Sequence, residues 1–423
     1  MRCCIEAMLI CGCVIPLAVE AVEPVIIKWE AAVPAAGAKA LVQTADGALL
    51  TARSNHYTTG VEIAAYRSGD NGTSWAQAGI VARDNDSTAD LGDSAMAVLK
   101  SGEVLCCFRR NNYRHRPVEE HSYAIELSAS RDNGKTWRFH STVMDSKGTT
   151  GGLWASFLLE RSDGALQCYY DDEVTPWREG FARHQWAQMK TWAPDKRAWV
   201  NPVTVSRAHN PAHLSRDGMC SVVELPAASG GRLVCALESV KIDPPCKGNV
   251  RCVTSDDGGK TWSWQKEERR ILYQPKDVNY NSLAPWMIRL SDGTLLCVFV
   301  TDEARATPDT PATAKLDEDL KCVFSFDGGV TWSEKAQTIS ADHPCYLPGV
   351  IELTRGPLKG HVMVLYVAKS GLMNSTGAVV SQAKAKTGQR VRHQAGQPAT
   401  TGKHGAEERN SSNCLLKPNA PSA

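Results

Sequence analysis

The sequence predicts an all-β chain closed into a six-bladed propeller. Three observations carry this expectation. A motif of the form SxDxGxTW stands four times, successive copies fall on a register of 62 residues, and six glycine-centred hairpin signals are spread one to a period.

The motif is local turn chemistry. Its copies are SGDNGTSW (Ser68, Asp70, Gly72, Trp75, with Ser74 in the threonine place), SRDNGKTW (Ser130 to Trp137), SDDGGKTW (Ser255 to Trp262) and SFDGGVTW (Ser325 to Trp332). Serine and aspartate bond the backbone of their own turn, glycine supplies the left-handed step, and Thr-Trp begins the returning strand with a large apolar anchor. Four buried anchors at Trp75, Trp137, Trp262 and Trp332 are therefore expected. Trp75 and Trp137 are 62 residues apart, and Trp137 and Trp262 are 125 apart, about two periods. A worn copy is thus expected near residue 199, where Trp199 stands in WAPDKRAW. Trp332 follows Trp262 by 70 residues, one period with an insertion.

Each period reads as a first apolar strand, a tight turn, a second apolar strand, a loop, a third strand, the motif hairpin and a fourth strand. The first turns are TADGALL (Gly47), LKSGEVL (Gly102), RSDGALQ (Gly164), ASGGRLV (Gly231), LSDGTLL (Gly293) and the looser LTRGPLKGHVMVLYV (Gly356, Gly360). The sixth period has no motif. Its third strand is expected at GAVVSQ (377–382), and its fourth is best supplied by VIIKWEA (25–31) from the other end of the chain, which closes the ring.

Three segments result. Residues 1–21 read as a secretory signal: Arg2, then the apolar AMLICGCVIPLAV, then small residues at 18–21. Residues 22–382 form the propeller. From 383 to 423 apolar residues nearly vanish, so this tail is expected to be disordered. The 423 residues carry a formal charge of +1, with 22% charged and 43% hydrophobic positions. That balance suits a folded core and argues against a nucleic-acid partner, and no interior run reaches the length of a membrane span. Of 15 cysteines, Cys106, Cys107, Cys168, Cys235 and Cys297 lie in apolar strand-like runs, where the thiol packs as a small hydrophobe. No CxxC spacing or disulfide framework is present. Asn71, Asn85, Asn374 and Asn410 begin N-glycosylation sequons.

In a propeller, second strands end at the face where first strands begin. Polar residues at the ends of second strands are Arg53, Arg109, Arg110, Glu173, Glu238 and Glu303. At the starts of first strands stand Trp154, Arg216, Asp217, Trp286 and Tyr346. Any one could be a solvated loop residue; their recurrence at one place in successive blades marks a common face as the candidate site.

The SxDxGxTW repeats resemble the Asp-box of the sialidase superfamily over residues 25–382. The resemblance implies a six-bladed propeller with a sugar-cleaving pocket on the face away from the boxes. SRDGM, ALES and YYDDE resemble stretches of glycoside hydrolase family 93, the exo-α-L-arabinanases. Carried over, this resemblance implies a general acid/base at Glu173, a nucleophile at Glu238 and a supporting tyrosine at Tyr346. Arg53, Arg109, Trp154, Arg216, Asp217, Trp286 and Glu303 are the implied substrate-binding set, with an oligo- or polysaccharide substrate, no cofactor or metal, and a monomer. The two carboxyls need unlike surroundings. Arg216 and Arg109 are expected to keep Glu238 ionised, and Trp154 and Tyr170 to desolvate Glu173. One departure is WASF at 154–157, where the family often reads WEPF; Ala155 stands in the place of a glutamate. Two alternatives remain open. An exo-α-sialidase would draw Arg53, Arg109 and Arg216 together on a carboxylate, although no FRIP-like start is present. A non-catalytic carbohydrate-binding propeller would keep the face without the chemistry.

Overall fold

The computed structural model describes residues 27–227, 230–240, 248–266, 268–307 and 317–379. The expected signal (1–21) and tail (383–423) lie outside the described residues. Within them, one strand order repeats, and no helix is long and apolar enough to cross a membrane.

Blade one is β3 (Leu41–Gln43), β4 (Leu49–Tyr57), β5 (Gly60–Ser68) and β6 (Ala76–Asp84). Blade two is β7 (Asp90–Val98), β8 (Val104–Asn112), β9 (Ser122–Ser130) and β10 (Arg138–Lys147). Blade three is β11 (Leu153–Glu160), β12 (Leu166–Asp172), β13 (Trp186–Ala193) and β14 (Ala198–Ser206). Blade four is β15 (Arg216–Glu224), β16 (Leu233–Val240), β17 (Asn249–Ser255) and β18 (Arg270–Tyr273). Blade five is β19 (Ser282–Arg289), β20 (Leu295–Thr301), β21 (Asp319–Ser325) and β22 (Gln337–Ser340).

The sixth blade closes the ring. Its strands β23 (Tyr346–Glu352), β24 (Val362–Ala368) and β25 (Gly371–Val379) are completed by β1 (Ile27–Trp29), with β2 (Val33–Pro34) further along β25. Ile27 pairs with Val379 and Trp29 with Gly377. A side chain at 377 would collide with Ile27 and Trp29, so the missing Cβ is what admits the N-terminal strand. The third strand begins earlier than the expected 377, because Ala368 and Gly371 form a tight hairpin in place of a motif loop.

Second and third strands lie between neighbouring blades and are buried on both faces. All seven residues of β20 and of β21 are buried. This explains the unbroken apolar runs such as LLCVFV. Cys106, Cys168, Cys235 and Cys297 recur in these second strands, each buried and unpaired; nine such cysteines occur among the described residues. On the innermost strands Phe157 of blade three meets Trp286 of blade five at 5.3 Å between ring centroids. The two belong to non-adjacent blades, so they fill the axis at that level.

The four motif hairpins share one geometry. Asp132 accepts from Thr136 N at 2.9 Å and Thr136 Oγ1 at 2.6 Å, and Ser130 Oγ accepts from Gly134 N at 2.9 Å. Asp70, Asp257 and Asp327 repeat this pattern. The four expected anchors are buried unequally: Trp262 is 2% exposed, whereas Trp75, Trp137 and Trp332 are only half-buried at the rim. Each motif glycine rests on the preceding blade: Gly72 on Met363, Gly134 on Leu50, Gly259 on Met189 and Gln167, Gly329 on Val234. The hairpins thereby fasten the joints six–one, one–two, three–four and four–five.

A second fastening complements the first. The last residue of an inner strand reaches back to the first turn of the blade before it. Glu160 accepts from Lys100 N at 2.6 Å, Glu224 from Ser162 N and Oγ, Glu352 from Ser291 N and Oγ at 2.6 and 2.7 Å, and Gln43 from Thr354 N at 2.8 Å. These latches close joints two–three, three–four, five–six and six–one. At joint four–five the corresponding residues are Arg289 and Pro226, and proline has no N–H to give. At joint one–two Val98 stands where the acceptor would be. Every joint therefore carries a motif hairpin, a latch, or both.

Candidate active site

The face opposite the motif hairpins is built by bulges in the inner strands. Between Gly92 and Ala95, Gly218 and Ser221, Leu283 and Trp286, and Tyr346 and Gly349 the ladder slips by one residue. In each slip a non-glycine residue is left-handed: Asp93 (φ 52°), Met219 (51°), Ala284 (50°) and Leu347 (50°). Such bulges re-aim backbone N–H groups. Here Met219 N and Ala284 N point at carboxyls of the preceding blade.

The YYDDE string splits three ways. Asp171, fully buried, accepts from Met219 N at 3.0 and 3.2 Å and from Gln185 Nε2 at 3.3 Å. Asp172 takes Val174 N at 2.7 Å and Thr175 N at 3.0 Å, and so caps the short helix α1 (Val174–Arg178). Glu173 accepts from Gly152 N at 3.1 Å and forms an ion pair with Arg216, whose other nitrogen bonds Gln185 Oε1 at 2.9 Å. A cleft of about 360 Å³ opens beside it, lined in part by Thr150, Glu173, Trp177, Arg183, His184 and Arg216. Glu238 is not in that lining. It is half-buried on β16 and accepts from Ala284 N at 2.8 Å.

Arg216 is therefore the partner of Glu173, not of Glu238 as the sequence suggests, because the slip after Gly218 turns the start of β15 toward α1. Tyr170 does not desolvate Glu173; strand alternation buries Tyr170 in the core on the other side of β12. Tyr123 is the aromatic neighbour instead, its hydroxyl pushed up to about 12 by burial, then by Tyr113 and the Glu173 charge.

The three arginines do not converge. Arg109 bonds Asp90 at 2.9 and 3.1 Å, pairs with Asp93 and lies 5.5 Å over Trp154. Lys39 Nζ, buried, reaches the same Asp93 at 3.3 Å. Arg53 is exposed and bonds Tyr66 Oη at 2.7 Å and Asn55 Oδ1 at 3.0 Å. Among the described residues no one anion is shared by the three, which removes the geometric support for a carboxylate clamp.

Of the other expected residues, Asp217 and Trp286 take buried places, Glu303 is engaged within the fold, and Tyr346 stands where expected, at the start of a first strand. Asp217 is sealed below the face, bound to Arg269 at 2.7 Å and to Ser206, Ser215 and Ser239. It parts from Arg216 because consecutive strand residues point to opposite sides. Trp286 is core, 6% exposed against Phe157. Glu303 is saturated by Tyr273 Oη, Lys321 Nζ at 2.7 Å and Lys276 N. Tyr346 is 39% exposed at the start of β23. Ala155 is buried beside the slip in β11. Residues that the reading missed are Lys39, Asp90, Asp93, Gln185 and above all Asp171. Its signal was available: LQCYYD and LVCALE align on Cys168 and Cys235 and put Asp171 level with Glu238.

No protein-family model matches this chain, and no curated protein matches it in sequence. Solved structures do match in fold. An α-L-arabinanase of Penicillium chrysogenum complexed with arabinobiose is similar at 16% identity and a TM-score of 0.58, over 85% of this chain and 98% of that one. An α-L-arabinofuranosidase of Fusarium graminearum with an iminosugar inhibitor is similar at 16% identity and 0.56, over 85% and 98%. A sialidase of Streptococcus pneumoniae is similar at 11% identity and 0.55, over 83% of this chain and 68% of that one. At these identities the likeness is one of fold: the six-bladed propeller on which arabinan-cleaving enzymes and sialidases are both built.

Proposed function

We propose that this chain is an exo-acting glycoside hydrolase that cleaves a neutral, arabinan-type oligosaccharide, with Glu238 as nucleophile and Glu173 as the second carboxyl. The observation that carries the reading is the setting of Glu238. It lies toward the end of β16, directly across from Gly218, partly accessible, with one oxygen fixed by Ala284 N. The backbone N–H holds that oxygen in one orientation, as an attacking carboxylate needs. In the retaining sequence Glu238 attacks the anomeric carbon as the glycosidic C–O bond breaks, and the leaving oxygen takes a proton from the acid. Water then displaces the carboxylate, returning a proton to that group. Trp177, in the cleft beside Glu173, supplies an aromatic surface for a sugar ring. The separate engagement of Arg53, Arg109 and Arg216 favours a neutral sugar over a sialoside. An N-terminal signal would place this activity outside the cell, and we take the working unit to be the monomer.

The test is sugar release from α-1,5-arabino-oligosaccharides and a panel of aryl arabinosides and sialosides. Turnover of arabinosides that is abolished in Glu238→Gln, with the melting temperature unchanged, supports the reading; an unchanged rate in that variant rejects the nucleophile. A second reading is favoured by the Glu173–Arg216 ion pair, which engages the carboxyl that the acid role requires. On that reading the propeller binds arabino-oligosaccharides without cutting them, and calorimetry would register binding with no product.

A further inference from the structure

Asp171 and Glu238 are one structural position in two successive blades. Counted from the buried cysteines of their strands, Cys168 and Cys235, both are three residues on. Each accepts the N–H of a left-handed residue in the next blade's inner strand: Met219 for Asp171, Ala284 for Glu238. The Asp171 carboxyl also lies on the strand pair that carries Glu238. Gly218 is paired directly across from Glu238. A Cβ at 218 would fall on the Asp171 carboxyl and the Gln185 amide. The Asp171 carboxyl thus occupies the space of the side chain that Gly218 lacks. Directly opposed residues of an antiparallel pair have Cβ atoms only about 4.5–5.5 Å apart. Glycine at 218 thus makes room for the Asp171 carboxyl on the side of the pair that Glu238 shares.

The surroundings divide their roles. Glu238 is partly accessible, whereas Asp171 is sealed. Burial pushes the Asp171 carboxyl well above the ordinary range; Glu238 and Asp93 push the same way, while the Met219 N–H and Lys39 oppose. Lys39 is already held by Asp93 of β7, and Arg109 is spent on Asp90 and Asp93. On the β15 side, Arg216 reaches Asp171 only through Gln185, Asp217 is turned to Arg269, and Cys220 is a neighbouring buried thiol. No cation therefore pairs with Asp171 directly among the described residues. A carboxyl that keeps its proton in such a place needs an acceptor, and the Glu238 carboxylate lies across Gly218.

We propose that Asp171 is a positioning residue for Glu238: a buried neutral carboxyl that donates its proton in a hydrogen bond to Glu238, so that the pair carries one negative charge, held on Glu238. No bond to substrate is made by Asp171. Its effect is to fix the nucleophile together with the Ala284 N–H. When Asp171 ionises at high pH, the donor is lost and a second charge appears beside the first, so turnover falls as pH rises.

The catalytic part rests on the hydrolase reading; the proton itself does not, and the experiment separates them. Infrared difference spectroscopy of the full chain at neutral pH should show a protonated carboxyl stretch that disappears in Asp171→Asn. Asparagine keeps the shape, the acceptor for Met219 N and a donor, but cannot ionise. Asp171→Asn should therefore keep kcat/KM on arabino-oligosaccharide within about 3-fold and lose the alkaline fall of the pH profile. Asp171→Ala, which removes the donor, should lower kcat about 10–100-fold with little change in KM, the scale of supporting-shell losses. Absence of the protonated band overturns the proposal whatever the activity. So does a wild-type pH profile in Asp171→Asn, or equal losses in the asparagine and alanine variants. A band present in a chain that turns over no arabinoside would uphold the buried proton and refute the hydrolase reading.

Discussion

Glu352→Ala should loosen one identified joint of the ring. Glu352 accepts two hydrogen bonds from Ser291, at 2.6 and 2.7 Å, and joint five–six carries no motif hairpin. Both donors are near solvent and regain water when the carboxylate is removed, so each bond contributes the net, not the gross, value. At about 0.5–1.5 kcal/mol apiece the loss is about 1–3 kcal/mol. Unfolding entropy near 2.1 cal/mol/K per residue over about 350 residues is roughly 0.7 kcal/mol/K. The melting temperature should then fall by about 1.5–4 °C in calorimetry. Glu224→Ala removes a similar pair of bonds at joint three–four, where Gly259 still rests on Met189 and Gln167. Hydrogen exchange should tell the two apart. Amides of the turn at 290–294 should exchange at least about 10-fold faster in Glu352→Ala, a local opening of about 1.4 kcal/mol, and those at 161–165 should change less in Glu224→Ala. Arg289→Ala is the control, because Pro226 gives it no N–H to lose. A Glu352→Ala melting point within about 0.5 °C of wild type, or equal to that of Arg289→Ala, would refute the latch.

Other outcomes follow from the same geometry. Trp262→Ala should cost about 3–5 kcal/mol in denaturant unfolding, and the half-buried Trp332→Ala clearly less; equal costs would contradict the burial difference. Val98→Glu should supply the missing acceptor at joint one–two and raise the melting temperature by about 1 °C, and a fall would show that Ala45 N is not within its reach. The Asp132 carboxyl is held down to about 2 by Thr136 and Ser130, below its ordinary 3.8. A lowered folded value contributes stability that is complete above about pH 4 and lost as pH falls toward 2. The stability gap between wild type and Asp132→Asn should therefore be flat above pH 4 and close below it, which acid titration of the melting point would register.

The fold was legible because its signals are local. Ser, Asp, Gly and Trp in one turn specify a hairpin without help from the rest of the chain, and the period followed from counting tryptophans. Closure was legible from what the sixth period lacks. The site was legible only as a face. Which residue meets which depends on the slips at Asp93, Met219 and Ala284, and the last two of these left-handed steps fall on residues with no turn signature. A slip of one place exchanged the partners of Arg216 and sent Asp217 inward. Glu173 drew attention as the last acid of YYDDE, yet strand alternation from Cys168 gives the place of Glu238 to Asp171. Gly218, read as part of SRDGM, carried the decisive information in the atom it does not have.

The recurrent buried cysteines have a use as reporters. Cys106, Cys168, Cys235 and Cys297 sit at one level in the second strands of blades two to five, unpaired and sealed from solvent. A thiol there reacts with an alkylating reagent only while its strand is uncovered. Single-cysteine versions, labelled under native conditions and read by mass, would time the opening of each blade on a common clock. Because the four positions are equivalent, differences in rate would belong to the seams on either side, not to the probe. The chain is thereby equipped for a seam-by-seam measurement of how a closed ring begins to come apart.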